Sequence, residues 1–158
     1  EEEEEEEETE RVMEHFEILE CLGSGTYGKI FKVKNLLENS KIQVLKQINI
    51  EGMNKSELDA TLNECKVHGQ CEHPHIIKCH HSFIERPYLY LVMEYAECGD
   101  LANLIATHRK KKLYFEEETV WDYFIQILEG VHFLHVERRI LHRDIKAQNV
   151  FLDANLNI

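Results

Sequence analysis

The chain has 158 residues, 43% of them hydrophobic, which suits one ordinary domain with a real core. Its formal charge of -12 is concentrated at one end: nine glutamates crowd the first ten positions, and the other 148 residues carry 21 acids against 18 bases. That nearly neutral body lacks the basic surplus that draws nucleic acid, no apolar run is long enough for a membrane span, and the acidic start is no secretory signal. A soluble cytoplasmic protein without nucleic-acid or membrane partners is expected.

Residues 1–12 read as an acidic disordered extension, because Glu1–Glu8 is low-complexity and self-repelling. Phe16–Leu22 and Lys29–Lys34 read as strands around the glycine-rich Gly23–Gly28, and Lys41–Ile48 as a third, with Ile42, Val44 and Ile48 at alternate positions. A helix is predicted from Ser56 to Gln70, with Ser56 as its cap and Leu58, Leu62 and Cys65 at helical spacing. Ile76–Ile84 and Leu89–Glu94 form a strand pair around Glu85-Arg86-Pro87. Leu101–His108 is a short helix, with the basic run Arg109–Lys112 solvating its end. The longest periodic segment is Glu116–Glu137: acids crowd its first turn, and Val120, Phe124, Ile127, Leu128, Val131 and Leu134 fall near one face. Val150–Leu152 is a last short strand. A β-rich lobe precedes the start of a helical one.

Gly23-Ser24-Gly25-Thr26-Tyr27-Gly28 is G-x-G-x-x-G. Alone it is a weak signal, because ordinary hairpin turns are often glycine-rich and the same letters occur in dinucleotide folds. A dinucleotide site needs the glycines to open a helix, whereas Lys29-Ile30-Phe31-Lys32-Val33 continues as a strand. A strand–loop–strand cover can lower backbone N–H groups onto phosphates, because glycine removes the side chain that would hold them off. Tyr27 at the tip can shield such a site from water. Lys46 lies in an apolar strand, where a cation is costly unless paired. Nucleotide phosphates and a helix carboxylate would pair it, with Glu64 the preferred acid and Glu57 the alternative. The rival reading is a solvated strand edge.

His142-Arg143-Asp144-Ile145-Lys146-Ala147-Gln148-Asn149 carries the densest chemistry. Asp144 can accept a hydroxyl proton, Lys146 can neutralise a phosphate in transfer, and Asn149 can hold a magnesium ion. Upstream, the apolar strand Leu89–Met93 breaks into a short linker that ends at Asp100, a good cap for the next helix.

From about Phe16 to Ile158 the chain resembles a eukaryotic protein kinase. Ile140–Leu152, Leu91–Leu101 and Phe124–Leu134 are similar to the NIMA-related kinases. The resemblance implies an α+β kinase-like fold: an N-lobe over 13–94, a hinge over 95–100 and a partial C-lobe over 101–158, breaking off before the D-F-G motif. It implies ATP and Mg2+ as cofactors and protein Ser/Thr hydroxyls as substrates, Lys146 marking the serine/threonine type. Carried over position by position, Asp144 is the catalytic base, Lys146 the phosphate-neutralising cation and Lys46 the phosphate-orienting lysine. Lys46 is paired with Glu64, which stands ahead of the His73-Pro74 turn that follows such a helix. Asn149 is the metal ligand. Leu22, Gly23, Ser24, Gly25, Thr26, Tyr27 and Gly28 cover the nucleotide, and Ile30 and Val44 roof the adenine over Phe151. Met93 is the gatekeeper, Glu94 and Ala96 offer backbone contacts, and Asp100 reaches a ribose hydroxyl. His142 packs beneath the loop, and Arg143 awaits a phosphate or acid on an activation loop.

Three departures stand out. The family's D-F-G motif, activation loop and A-P-E motif do not occur in the sequence, which leaves the Glu116–Glu137 helix short of a partner for its apolar face. His68 replaces the usual apolar residue four positions after Glu64. The group Cys65, Cys71, His73, His75, Cys79, His80 and His81 matches no common zinc spacing and reads as scattered structural residues. The five cysteines lack C-x-x-C spacing, and reduced thiols are expected. Two functions remain open: a serine/threonine kinase segment, or an inactive kinase-like protein that binds nucleotide or a partner without turnover. The resemblance also suggests a cytoskeletal or ciliary association.

Overall fold

The computed structural model describes residues 12–25 and 28–158. Nearly all of the acidic extension, together with Thr26 and Tyr27 of the glycine loop, lies outside the described residues.

A short 3-10 turn at Val12–His15 leads into β1 (Phe16–Gly25), β2 (Gly28–Asn35), β3 (Lys41–Asn49), α1 (Lys55–Gly69), β4 (Cys79–Glu85) and β5 (Tyr88–Glu94). Then follow α2 (Leu101–Lys111) and α3 (Glu117–His132), which runs into a π-helical turn at Phe133–Glu137. The five strands form one antiparallel sheet in the order β1-β2-β3-β5-β4. This is the expected α+β arrangement. No described helix is long and apolar enough to cross a membrane.

Alternation along the strands divides the core between the two sheet faces. Phe16, Val33, Leu45, Tyr90 and Val92 pack on one side. Leu89 and Leu91 turn to the other, where they meet Ile50, Cys65 and Cys79, with Leu58 and Leu62 of α1 against them. Burying each such aliphatic side chain stabilises the fold by about 1.5–3 kcal/mol, so the sheet and α1 are held by both clusters together. On the first face Phe83 stacks between Phe16 and Tyr90, at 6.1 and 5.1 Å between ring centroids.

Element ends differ from expectation where capping decides them. α1 starts two residues before Ser56 would allow, because Asn54 is its cap: Asn54 accepts from the Glu57 N–H at 3.0 Å, and Glu57 accepts from the Asn54 N–H at 2.8 Å. That reciprocal pair satisfies two terminal donors at once. α2 does not stop at His108 but takes in Arg109, Lys110 and Lys111, which are good helix formers, and closes on Lys112 in the left-handed region at φ 54°. α3 is α-helical only to His132. The expected strand Val150–Leu152 is reduced to a single bridge, Phe151 to Asp100.

α3 reaches the first lobe through the turn that follows α1. Glu129 contacts His75, Nε2 to Oε2 at 3.2 Å, and Phe133 lies 5.0 Å from the His73 ring. Gly130 is buried against His75, whose carbonyl oxygen would lie 2.8 Å from any Cβ placed there.

Candidate active site

The register of the sheet assembles one wall. Ile30 of β2 lies opposite Lys46 of β3, and Lys46 lies opposite Leu91 of β5; Val44 lies opposite Met93. Ile48, Leu91 and Met93 pack in the cluster against α1, so by alternation Val44, Lys46 and Ile30 share that face. Lys46 is half-buried among apolar neighbours. Two bulges interrupt β1, and Leu22 falls in the second, unpaired between Cys21 and Gly23. A bulge bends the strand just ahead of the glycines.

The three glycines differ in what they need. Gly23 and Gly25 have open space where a Cβ would stand, whereas at Gly28, with φ +142°, a Cβ would overlap the Gln47 carbonyl oxygen at 1.8 Å. Gly28 is thus required for β2 to close onto β3, and the other two leave an unobstructed backbone edge.

Glu64 is not brought to Lys46: no ion pair joins them among the described residues. The reason is rotational. α1 turns Leu58, Leu62 and Cys65 into the core, and Glu64, one residue before Cys65, stays exposed. Burial raises the pKa of the Cys65 thiol; the Glu64 carboxylate adds to that rise and the Lys46 ammonium opposes it. His68 lies half-buried with its Nε2 at 2.9 Å from the Ile77 carbonyl. A polar ring thus ties α1 to the segment before β4, where an apolar contact is usual.

At the end of β5 the linker begins. The Glu94 N–H donates to the Lys78 carbonyl at 3.0 Å, and the Ala96 carbonyl accepts from the Gly99 N–H at 3.3 Å. The Ala96 N–H donates to no described residue. Asp100 caps α2, accepting from the Asn103 N–H at 2.8 Å. The linker is strapped to the segment after the catalytic loop by three backbone bonds: Cys98 N–H to the Leu152 carbonyl at 3.0 Å, Leu152 N–H to the Gly99 carbonyl at 2.8 Å, and Leu101 N–H to the Val150 carbonyl at 2.8 Å. Leu152 is fully buried, while Phe151 points outward and is 40% exposed.

In the loop itself Arg143 takes the left-handed conformation at φ 65°, and Asp144, Lys146 and Asn149 converge beyond that bend. Lys146 Nζ is 3.0 Å from Asp144 Oδ2. Asn149 donates its Nδ2 to the Asp144 carbonyl and to Oδ2, each at 2.9 Å. The Lys146 hydrogen bond is the main cause holding the Asp144 carboxyl below the usual carboxylate range, with Asn149 assisting. The Asp144 N–H donates to His142 Nδ1 at 3.3 Å, so His142 braces the loop from within.

Two residues join this region that the sequence reading leaves out. The Lys32 ammonium lies over the Tyr95 ring, 4.5 Å from its centroid. Both were within reach: Lys32 follows Ile30 by two on one strand and shares its face, and Tyr95 follows Met93 by two.

Comparison with known proteins agrees with this geometry. The protein kinase domain family matches residues 16–158. The chain is 37% identical over 150 residues to the probable serine/threonine-protein kinase nek2 of Dictyostelium discoideum, covering 92% of this chain and 36% of that protein. It is 38% identical to the human serine/threonine-protein kinases Nek5 and Nek11, covering 90% and 85% of this chain but only 20% and 21% of those proteins. The chain therefore spans about a third or less of these relatives' length. On the strength of the domain match, the chain belongs to the protein kinase family, and within it the chain resembles the serine/threonine-specific Nek, or NIMA-related, kinases.

Proposed function

We propose that this chain is the nucleotide-binding lobe and catalytic loop of a serine/threonine protein kinase that transfers the γ-phosphoryl group of MgATP to protein hydroxyls. The observation that carries the reading is the convergence of Asp144, Lys146 and Asn149 on one exposed loop. The residues suit the cofactors. Asn149 commits its amide nitrogen to Asp144, which leaves Oδ1, a hard oxygen donor of the type magnesium prefers. Gly23 and Gly25 leave a backbone edge clear for phosphates, and the Ala96 N–H is available to an adenine nitrogen.

MgATP, when bound, supplies the phosphoryl group and the metal charge that shields it. Asp144, held ionised by Lys146 and Asn149, orients the substrate hydroxyl and takes its proton. Lys146, already 3.0 Å from that carboxylate, adds positive charge where the phosphoryl passes. Lys46 orients phosphates, and Glu64 steadies it once α1 turns inward. Ile30, Val44, Met93 and Phe151 enclose the base, Leu22 and the loop from Gly23 to Gly28, with Thr26 and Tyr27, cover it, Glu94 and Ala96 hold its edge, and Asp100 takes the ribose. The free thiols of Cys21, Cys65, Cys71, Cys79 and Cys98 suit a reducing, cytoplasmic setting.

A second reading, a kinase-like module that binds nucleotide without turnover, is favoured by the lack of a Lys46–Glu64 ion pair among the described residues. Lys46→Met in the full-length protein separates the two. The first reading expects phosphorylation of a Ser/Thr peptide to fall about a hundredfold or more, with the circular dichroism spectrum unchanged. An unaltered rate would remove Lys46 from the machinery. MgATP binding by the wild-type protein with no transfer under any condition would establish the second reading.

A further inference from the structure

We propose that Lys32 and Tyr95 form a clip between β2 and the linker that pre-sets the height of the adenine slot, which makes both positioning residues for the nucleotide. The inference rests on the nucleotide-binding reading above and adds two residues to it.

Lys32 lies opposite Val44 in the β2–β3 register, and Val44 lies opposite Met93 in the next pair. Lys32 is therefore two strands from the end of β5, on the face it shares with Ile30. From there its ammonium reaches the Tyr95 ring at 4.5 Å, within the range where a cation is attracted to an aromatic face. Both side chains are half-buried, so the contact is screened less than one in open water. Glu20 is the cross-strand neighbour of Lys32 on β1 but makes no ion pair with it among the described residues.

The consequence follows from where Tyr95 sits. It lies between Glu94 and Ala96, the two positions whose backbone groups are assigned to the adenine edge. The Glu94 N–H is already fixed to the Lys78 carbonyl, whereas the Ala96 N–H is held by no backbone bond among the described residues. A side chain fastened to β2 stops the peptide between Tyr95 and Ala96 from rotating, and it does so through the strand that carries the roof residue Ile30. The clip thus couples roof to edge before nucleotide arrives. Without it, that ordering must be completed on binding, and affinity falls by the fraction of molecules not yet arranged.

The test uses the full-length protein with Lys32→Met, Lys32→Arg, Tyr95→Leu, Tyr95→Phe and the double variant Lys32→Met/Tyr95→Leu. Lys32→Met and Tyr95→Leu should each raise the MgATP dissociation constant by calorimetry, and KM for ATP, about three- to fivefold with kcat within twofold. Lys32→Arg and Tyr95→Phe, which keep cation and ring, should restore wild-type values, and the double variant should be no worse than either single one. In nucleotide-free protein, amide exchange at Ala96 should speed up in Lys32→Met while that in β3 stays unchanged. Unchanged affinity and unchanged exchange in Lys32→Met overturn the clip alone. Effects that simply add in the double variant overturn it too, because then the two residues act separately. Absence of nucleotide binding in the wild-type protein sinks the nucleotide-site reading instead, and the exchange measurement still decides whether Lys32 orders the linker.

Discussion

At the scale of single residues, charge is handled differently on the two sides of the molecule. Asp144 is exposed yet well supplied with donors, and its carboxyl is held below the ordinary range by Lys146 first and Asn149 next. Such a group stays ionised throughout the physiological range, so its loss of charge contributes nothing to pH dependence there. His80 is the opposite case. Burial lowers its pKa, with Lys41 adding to the effect, and its buried Nε2 has no hydrogen-bond partner among the described residues. The folded protein therefore binds this proton more weakly than the unfolded chain does. The associated stability is complete above the unfolded value, near pH 6.5, and is lost as pH falls below it. Replacing the ring by His80→Leu should reduce the drop in melting temperature between pH 7.5 and pH 5.5. An equal drop in both proteins would show that other histidines carry the acid response.

At the scale of elements, backbone geometry decides more than side-chain type. Gly28 stands where β2 meets β3, and an added Cβ would overlap a carbonyl oxygen that belongs to the sheet and cannot swing away. Gly28→Ala should cost at least about 2 kcal/mol in urea unfolding. Gly25→Ala, with open space around it, should stay within about 1 kcal/mol of wild type. Equal losses would mean the loop tolerates no side chain anywhere, contrary to this structure. The same distinction explains how much could be read from the chain. Alternation and turn residues located all five strands, but not which face of β3 is the more buried. Ile42 is exposed and Val44 and Ile48 are half-buried, whereas Gln43 and Leu45 on the opposite face are fully buried. The start of α1 was legible but ambiguous. Asn54 and Ser56 both cap helices, and each has an acid three residues on, Glu57 and Asp59. Only the reciprocal Asn54–Glu57 hydrogen bonds select Asn54. The end of α2 was misjudged because a basic run looks like a loop, although arginine and lysine extend helices readily. The residue types of the catalytic loop were plain from His142–Asn149. Their mutual contacts were not, because they depend on a left-handed bend at Arg143 that no side-chain pattern announces. Likewise spacing named Glu64 as the partner of Lys46, but it could not fix the rotation of α1 that leaves the two apart.

At the scale of the whole molecule, the sheet and the helices meet at few points, and one of them is Gly130. An alanine in a helix normally gains about 1 kcal/mol over glycine. Here the Cβ would stand 2.8 Å from the His75 carbonyl oxygen, and relieving that contact costs about 1–3 kcal/mol. Gly130→Ala should therefore destabilise the fold, reversing the propensity trend, and should speed amide exchange in the His73–His75 turn. A stabilising Gly130→Ala would show that α3 can slide without penalty. The second link between the lobes is the strap of Cys98, Gly99 and Leu101 to Val150 and Leu152, which sets the catalytic loop at a fixed offset from the linker. The linker and Asp144 are thereby joined through backbone, which is what the proposed phosphoryl transfer by positioning requires. The most direct measurement is transfer of labelled γ-phosphate from MgATP to a Ser/Thr peptide by the full-length protein and its Asp144→Asn variant. Transfer by the wild type and a loss of about a hundredfold or more in the variant, at unchanged melting temperature, is the predicted result. Equal transfer by both proteins, or none by the wild type, would contradict it.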